Sequence, residues 1–205
     1  MGGTGSRRDS GGSSAKRAVT RSSRLRRAVA AGAAAATEAL DRTTDQLDVL
    51  AEAGVVGIRL NLIGLPVPDL RLPGWRTLLA RINTLGWHVE VHLPAARLPD
   101  VLPTLLAAQC RVVVDHFGRP DPALGVADPG FQYLLRQADS GRVWVKLSAP
   151  YRNWPASACT TSGRIAARQL LDAYTAARLM WGSDWPHTEH RHLASYSAAV
   201  RWLDA

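Results

Sequence analysis

Lysine is almost missing: among 205 residues it occurs only as Lys16 and Lys146. The positive balance, 25 Lys and Arg against 17 Asp and Glu, is therefore carried by arginine. Eight basic side chains (Arg7, Arg8, Lys16, Arg17, Arg21, Arg24, Arg26, Arg27) fall in residues 1–40 against only Asp9 and Glu38, which leaves the rest of the chain close to neutral. A phosphate-binding face usually mixes lysine with arginine, so the excess reads as compositional bias and no nucleic-acid partner is expected. Cysteine is as sparse. Cys110 and Cys159 make neither a disulfide framework nor a zinc ribbon, and read as buried structural thiols in a reducing, cytoplasmic setting. No apolar run approaches the ~20 residues that span a bilayer, so no membrane partner is expected. No Gly-x-Gly-x-x-Gly follows any candidate strand, which counts against a dinucleotide site. Residues 1–40 also lack aromatic residues and run Gly/Ser/Arg-rich, then Ala-rich. They read as a disordered low-complexity segment, although Ala28–Leu40 has helix propensity.

From Asp41 a regular alternation begins, and residues 41–205 read as one domain. Thr43 or Thr44 caps a short helix ending at Gly54. The apolar run Val55–Leu62 then suits a buried strand. The same logic gives helices at Trp75–Leu85, Leu98–Gln109, Asp128–Ser140, Ser162–Ala177 and Glu189–Leu203, and strands at Trp87–Leu93, Arg111–His116, Arg142–Ser148 and Leu179–Ser183. Strands that alternate with helices, without hairpins, argue for parallel βαβ units. A doubly wound sheet and a (β/α)₈ barrel are both built this way.

Three of these strands run from apolar residues into reactive ones: Val112–Val114 into Asp115-His116-Phe117-Gly118-Arg119-Pro120, Val143–Val145 into Lys146-Leu147-Ser148 and then Pro150-Tyr151-Arg152, and Leu179–Trp181 into Gly182-Ser183-Asp184-Trp185-Pro186-His187. A parallel barrel gathers such ends around one mouth. Asp184, bracketed by Trp181 and Trp185, is expected to be partly desolvated, with its pKa raised toward that of a general base. The alternative is a helix cap before Glu189. His116 can polarise a carbonyl, move a proton or bind a metal, or be a core histidine satisfied by Asp115. Lys146 either faces a ligand or closes an internal ion pair. Arg59 and Arg152 can each grip a carboxylate in bidentate fashion, or serve in structural ion pairs. His88, Glu90 and His92 share one strand face and imitate a metal site, but the zinc-protease spacing is absent and no metal is expected there. His187 is near enough to Asp184 in sequence to matter, while His190 and His192 are placed on the solvated face of the last helix.

The segments Val114–Pro120, Val145–Ser148 and Trp181–His187, with Gly57-Ile58-Arg59-Leu60-Asn61, resemble the amidohydrolase-related family, most of all its branch of 2-pyrone-4,6-dicarboxylate and sugar-lactone hydrolases. The likeness runs from about residue 41 to residue 200. It implies an α/β fold, a distorted (β/α)₈ TIM barrel, and hydrolysis of a lactone or related carboxylate ester. Asp184 would activate water and later protonate the leaving group, and His116 would polarise the carbonyl. Arg59, Arg152, Lys146, Ser148, Tyr151 and His187 would contact a small carboxylate or lactone substrate. The resemblance further implies that no cofactor is needed, histidine and arginine donors replacing a Lewis acid, although the wider superfamily includes zinc-dependent hydrolases and decarboxylases. The family's first strand carries a His-x-His pair, whereas no histidine precedes His88 here. The barrel is therefore expected to lack its first strands, and a wrong start or an upstream frameshift would account for residues 1–40.

Overall fold

The structure, a computed structural model, describes residues 44–204; the readings of residues 1–40 and of a cap at Thr43 lie outside what it describes, and Thr44 already belongs to the first helix. The expected alternation is present. Five strands, β1 (Gly57–Asn61), β2 (His88–His92), β3 (Arg111–Val114), β4 (Val143–Ser148) and β5 (Leu179–Gly182), form one parallel sheet in the order β1-β2-β3-β4-β5. Helix α1 (Thr44–Glu52) precedes β1, and α2 (Pro73–Thr84), α3 (Leu98–Ala107), α4 (Pro129–Arg136), α5 (Cys159–Tyr174) and α6 (Tyr196–Asp204) follow the strands in turn. A doubly wound sheet reverses its strand order at a switch point. Here each strand lies beside its predecessor throughout, as in the wall of a (β/α) barrel, with β1 and β5 as the sheet edges among the described residues.

Alternation along each strand separates two chemistries. One face carries Ile58, Leu60, Val89, Val91, Val112, Val114, Val143 and Val145, all buried in a single core with the apolar stripes of the helices. Leu98, Val101, Leu102 and Leu105 of α3 and Phe131 and Leu134 of α4 complete it. The opposite face, which would line a barrel's interior, carries Arg59, Glu90 and Lys146, with His92 and Ser148 at its carboxyl end and Asp115 just past β3. The fold therefore sorts apolar residues to the helix side and nearly all the reactive ones to the other.

Helix α4 is pinned on the helix side, against the turn at Ala95 that follows β2. Asp128 caps it, accepting hydrogen bonds from the backbone N–H groups of Gly130 (2.5 Å) and Phe131 (3.2 Å) and from Asp121 (2.6 Å). Gly130 allows the approach, since a Cβ there would lie 2.2 Å from the backbone carbon of Ala95. Helix α6 starts later than the Glu189 expected from sequence. Glu189 sits at φ +67°, a left-handed conformation that cannot open a helix, and Ser195 instead caps the element, its Oγ accepting from Ala198 N–H. His190 and His192 consequently lie in the preceding loop rather than on a helix face. Strand β3 stops at Val114 rather than His116 because His116 and Phe117 turn to φ +49° and +58°. No helix among the described residues is long and apolar enough to cross a membrane.

Candidate active site

Backbone strain marks the carboxyl ends of three strands. The non-glycine residues at positive φ include His116, Phe117 and Arg119 after β3, Ala149 after β4, and Asp184, His187 and Glu189 after β5. Such conformations persist where surrounding structure holds them, and they aim side chains that an ordinary strand-to-helix turn would not.

Asp184 is gripped on one oxygen. Its Oδ2 accepts from the Tyr151 hydroxyl at 2.5 Å and from Arg152 Nε at 2.7 Å, and Arg152 Nη2 also donates to the Thr188 carbonyl at 2.9 Å. Tyr151 has a single proton, which goes to the carboxylate, so at the 3.0 Å contact between Tyr151 Oη and His187 Nδ1 the imidazole is the donor. The Oδ1 atom is left facing His116 Nε2 across 3.6 Å, too far for a direct hydrogen bond and open to a reacting group. The expected upward pKa shift is not found. Burial pushes the carboxyl up, but His116, the Tyr151 hydroxyl and Arg152 outweigh it and hold Asp184 below the ordinary carboxylate range. Nor do the bracketing tryptophans desolvate it: Trp181 points to the helix side against Tyr196, and Trp185 is 68% exposed. A helix-cap role is excluded as well, since α6 starts at Tyr196. Burial and the adjacent Asp184 carboxylate push the Tyr151 hydroxyl well above its usual value, so it stays a neutral donor.

His116 is buried and hydrogen-bonded to Ser148 Oγ through Nδ1 at 2.8 Å. With a carboxylate on the other side, the proton belongs on Nε2 and Ser148 donates to Nδ1. Its partners are thus Ser148 and Asp184 rather than the neighbouring Asp115. Asn153 Nδ2 fixes the loop by donating to the His116 carbonyl at 2.8 Å. Burial lowers the His116 pKa to about 4 despite Asp115 and Asp184, so the ring is neutral at pH 7. His92 meets it edge to face with ring centroids 4.9 Å apart. The His92 Nδ1 contacts Arg59 Nη2 at 3.2 Å and must accept there, which leaves a proton on Nε2, buried and without a hydrogen-bond partner. Burial and the adjacent His116 lower its pKa to about 3.

Below the histidines lies a closed quartet of charges. Arg59 contacts Glu90 Oε1 at 2.7 Å and Asp115 Oδ2 at 2.5 Å; Lys146 Nζ contacts Glu90 Oε2 at 2.5 Å and Asp115 Oδ1 at 2.9 Å. Each carboxylate thus gives one oxygen to each cation. The internal ion pair is the reading of Lys146 that the geometry bears out, and Arg59 is committed in the same way. Burial pushes Asp115 up, yet Lys146, His116 and Arg59 outweigh it and keep it ionised. Glu90 is raised by burial and by the adjacent Asp115.

A guanidinium at the mouth, passed over in the sequence, is free of side-chain partners. The Arg119 side chain makes no hydrogen bond or ion pair among the described residues, and lies within electrostatic reach of Arg152, Asp184 and His92. Burial and the neighbouring Arg152 lower its pKa. The only sequence signal was its place in the His116–Pro120 turn. His92 and Glu90 were read only as a rejected metal imitation. Sequence could not show that Arg59 of β1 and Lys146 of β4 converge on Glu90 of β2. A largely apolar cavity of about 300 Å³, lined by Leu147, Trp181, Leu193 and Trp202 and reaching Ser148 and Tyr151 of the site, lies against α6.

His92, Asp115 and His116 each offer a ligand atom within 4.8 Å of one another, the one potential metal cluster among the described residues. The donor set does not fit a metal as it stands. Both Asp115 oxygens are taken by Arg59 and Lys146, and His116 is held by Ser148. His92 Nε2 is unpartnered, but it carries the proton of the ring whose Nδ1 accepts from Arg59.

Comparison with known proteins places this geometry. The amidohydrolase family profile matches residues 14–205, which reaches back into the segment expected to be low-complexity. The chain is 32% identical over 151 residues to a 2-pyrone-4,6-dicarboxylate hydrolase of Comamonas testosteroni, covering 69% of this chain and 49% of that protein. It is 31% identical over 175 residues to a D-galactarolactone isomerase of Agrobacterium fabrum, covering 82% of this chain and 58% of the isomerase. A solved structure from Pseudomonas putida, described as a 2-pyrone-4,6-dicarboxylic acid hydrolase, superposes with a TM-score of 0.75 at 43% identity, over 80% of this chain and 60% of that one. A counterpart from Acinetobacter baumannii, solved with citric acid bound, gives a TM-score of 0.76 at 37% identity, over 80% and 61%. The chain spans about half the length of the curated relatives it matches. The strand-end site, the sheet order and these matches agree: the chain belongs to the amidohydrolase family.

Proposed function

We propose that this site hydrolyses lactones that carry carboxylate groups, by addition of water to the ring carbonyl. The observation that carries the reading is the asymmetry at Asp184. Oδ2 is fixed by Tyr151 and Arg152, while Oδ1 faces a neutral imidazole N–H across a 3.6 Å gap. In that gap Oδ1 takes a proton from water as its oxygen attacks the acyl carbon. The carbonyl π-pair moves onto oxygen, where His116 Nε2–H meets the charge. Collapse of the tetrahedral intermediate breaks the ring C–O bond, and Asp184 returns the proton to the leaving oxygen. The products are a hydroxyl and a carboxylic acid, which ionises and releases its proton to solvent, with no cofactor consumed.

Arg119 and Arg152 give the mouth more positive than negative charge, and they are the groups we assign to the substrate's carboxylates. Arg59 and Lys146 support the floor through Glu90 and Asp115 instead. Ser148 donates to His116 Nδ1 and keeps its proton on Nε2, and His187 Nδ1–H donates to the Tyr151 oxygen. Relatives named for 2-pyrone-4,6-dicarboxylate and lactone substrates support the class, as does the relative solved with citric acid. A panel of lactones, with acid release followed by a pH indicator, tests it. Carboxylated rings are expected to open with kcat/KM at least about tenfold above neutral rings of the same size, the worth of one charge-assisted contact. Equal rates for both, or turnover of neither, would overturn the proposal.

A further inference from the structure

The turn after β5 brings a second ionisable side chain, His187, to the partner of Asp184. His187 is buried and sits at φ +55°. Its backbone N–H donates to the Asp184 carbonyl at 2.7 Å, and its own carbonyl accepts from the His190 N–H at 2.8 Å. The turn thereby carries both side chains to one phenol: Tyr151 Oη lies 2.5 Å from Asp184 Oδ2 and 3.0 Å from His187 Nδ1. His187 Nε2 is buried and has no hydrogen-bond partner among the described residues, so the contact with Tyr151 is the one hydrogen bond that fixes the ring. Among the described residues, Asp184 Oδ2 and His187 Nδ1 are also the two atoms within hydrogen-bond reach that could take the phenolic proton.

We propose that His187 is a positioning residue: its Nδ1–H, held against the Tyr151 oxygen, commits the single phenolic proton to Asp184 Oδ2 and leaves Oδ1 as the carboxylate oxygen that reacts. An imidazole protonated only on Nε2 would offer Nδ1 as an acceptor, in competition with Asp184. A proton on Nδ1 removes that competitor. The hydrogen bond it donates also polarises the phenol and strengthens the bond to the carboxylate. The other charged groups around the pair cannot take the phenolic proton. Arg152 donates to Oδ2 and lies beside the Tyr151 ring, while Arg119 and Arg59 act on Asp184 through their fields. His116 faces Oδ1 across 3.6 Å, and His190 meets the Tyr151 ring edge to face at 5.7 Å. The inference rests on the general-base reading of Asp184, but the direction of the hydrogen bond is measurable without turnover.

Nitrogen NMR of the full chain, labelled at both histidine ring nitrogens, tests the direction. His187 is expected to carry a proton on Nδ1 at neutral pH; a bare Nδ1 would overturn the proposal, and that arm needs no variant to fold. Carbon NMR of the Asp184 carboxyl, followed as pH is lowered, tests the consequence. His187→Leu fills the space without donating, so Asp184 loses support for its charged form and is expected to titrate about 0.3 of a pH unit higher. His187→Asn, whose amide can place an N–H near the Nδ1 position, is expected to titrate as the unchanged chain does. In a Tyr151→Phe background, His187→Leu is expected to add no further change, because the effect runs through the phenol. A folded His187→Leu chain with unmoved Asp184 titration would overturn the proposal, as would a change of the same size without the Tyr151 hydroxyl. Failure of the lactone panel beside a protonated Nδ1 and a moved Asp184 titration would overturn the lactone reading alone.

Discussion

Asp184 combines two properties that a general base rarely shows together: it is largely buried, yet held below the ordinary carboxylate range by His116, Tyr151 and Arg152. A lowered folded pKa means the group is ionised throughout the neutral range and loses its charge only as pH falls below the usual carboxylate value of about 4. The acid limb of kcat/KM is therefore expected below that value. Tyr151→Phe removes one of the donors that lower it. That variant is expected to move the acid limb upward and to reduce kcat/KM about tenfold, which a pH–rate profile from pH 3 to 8 would show. An unmoved limb would mean that Tyr151 does not set the basicity of Asp184. Arg119 makes a separable prediction. Arg119→Ala is expected to raise KM for a carboxylated lactone roughly 10- to 100-fold while leaving a neutral ring unaffected. Asp184 and His116 stood out in the sequence because each ends an apolar run. The desolvating role given to Trp181 and Trp185 failed on strand geometry, since alternate side chains of β5 face opposite sides of the sheet and the residue after Asp184 lies in solvent.

At the scale of elements, the strands were legible because their helix-facing positions are Val, Ile and Leu at every second residue. Their ends were not. His116, Asp184 and Glu189 turn into the left-handed region, and no side-chain pattern announces that for residues other than glycine and asparagine. The site depends on those ends, so the elements that brace them are open to test. Asp128→Ala removes three backbone hydrogen bonds at the start of α4 and is expected to cost about 1–2 kcal/mol, measured by urea denaturation. Gly130→Ala drives a Cβ into the backbone of Ala95 and is expected to cost about 1–3 kcal/mol. A neutral result at Gly130 would show that α4 does not approach the Ala95 turn this closely.

Across the whole molecule, the site joins residues from all five strands or the loops after them, and their protonation states are set together. His116, His92 and His88 are all pushed below the ordinary histidine value, chiefly by burial, His116 to about 4 and His92 to about 3. In the unfolded chain they take up protons near pH 6.5, while the folded chain resists doing so until the lower values are reached. Stability is therefore greatest above about pH 6.5 and declines as pH falls toward 4. A falling unfolding midpoint across that window, reduced in a His92→Gln variant, is the expected result. The convergence behind this coupling was legible only in part. Consecutive parallel strands announced that their ends would share one mouth, but the pairing of Arg59 and Lys146 through Glu90 and Asp115 is a property of register between strands, which no single strand encodes.

The central claim is that Asp184 Oδ1 removes the proton from the attacking water. The most direct measurement compares hydrolysis of one dicarboxylated lactone by the unchanged chain and by Asp184→Asn, with folding checked by circular dichroism. A loss of kcat of at least about 10³-fold, with lactone binding retained, is predicted, since the amide keeps the shape but accepts no proton. An Asp184→Asn chain that hydrolyses the lactone within about tenfold of the unchanged rate would contradict the assignment.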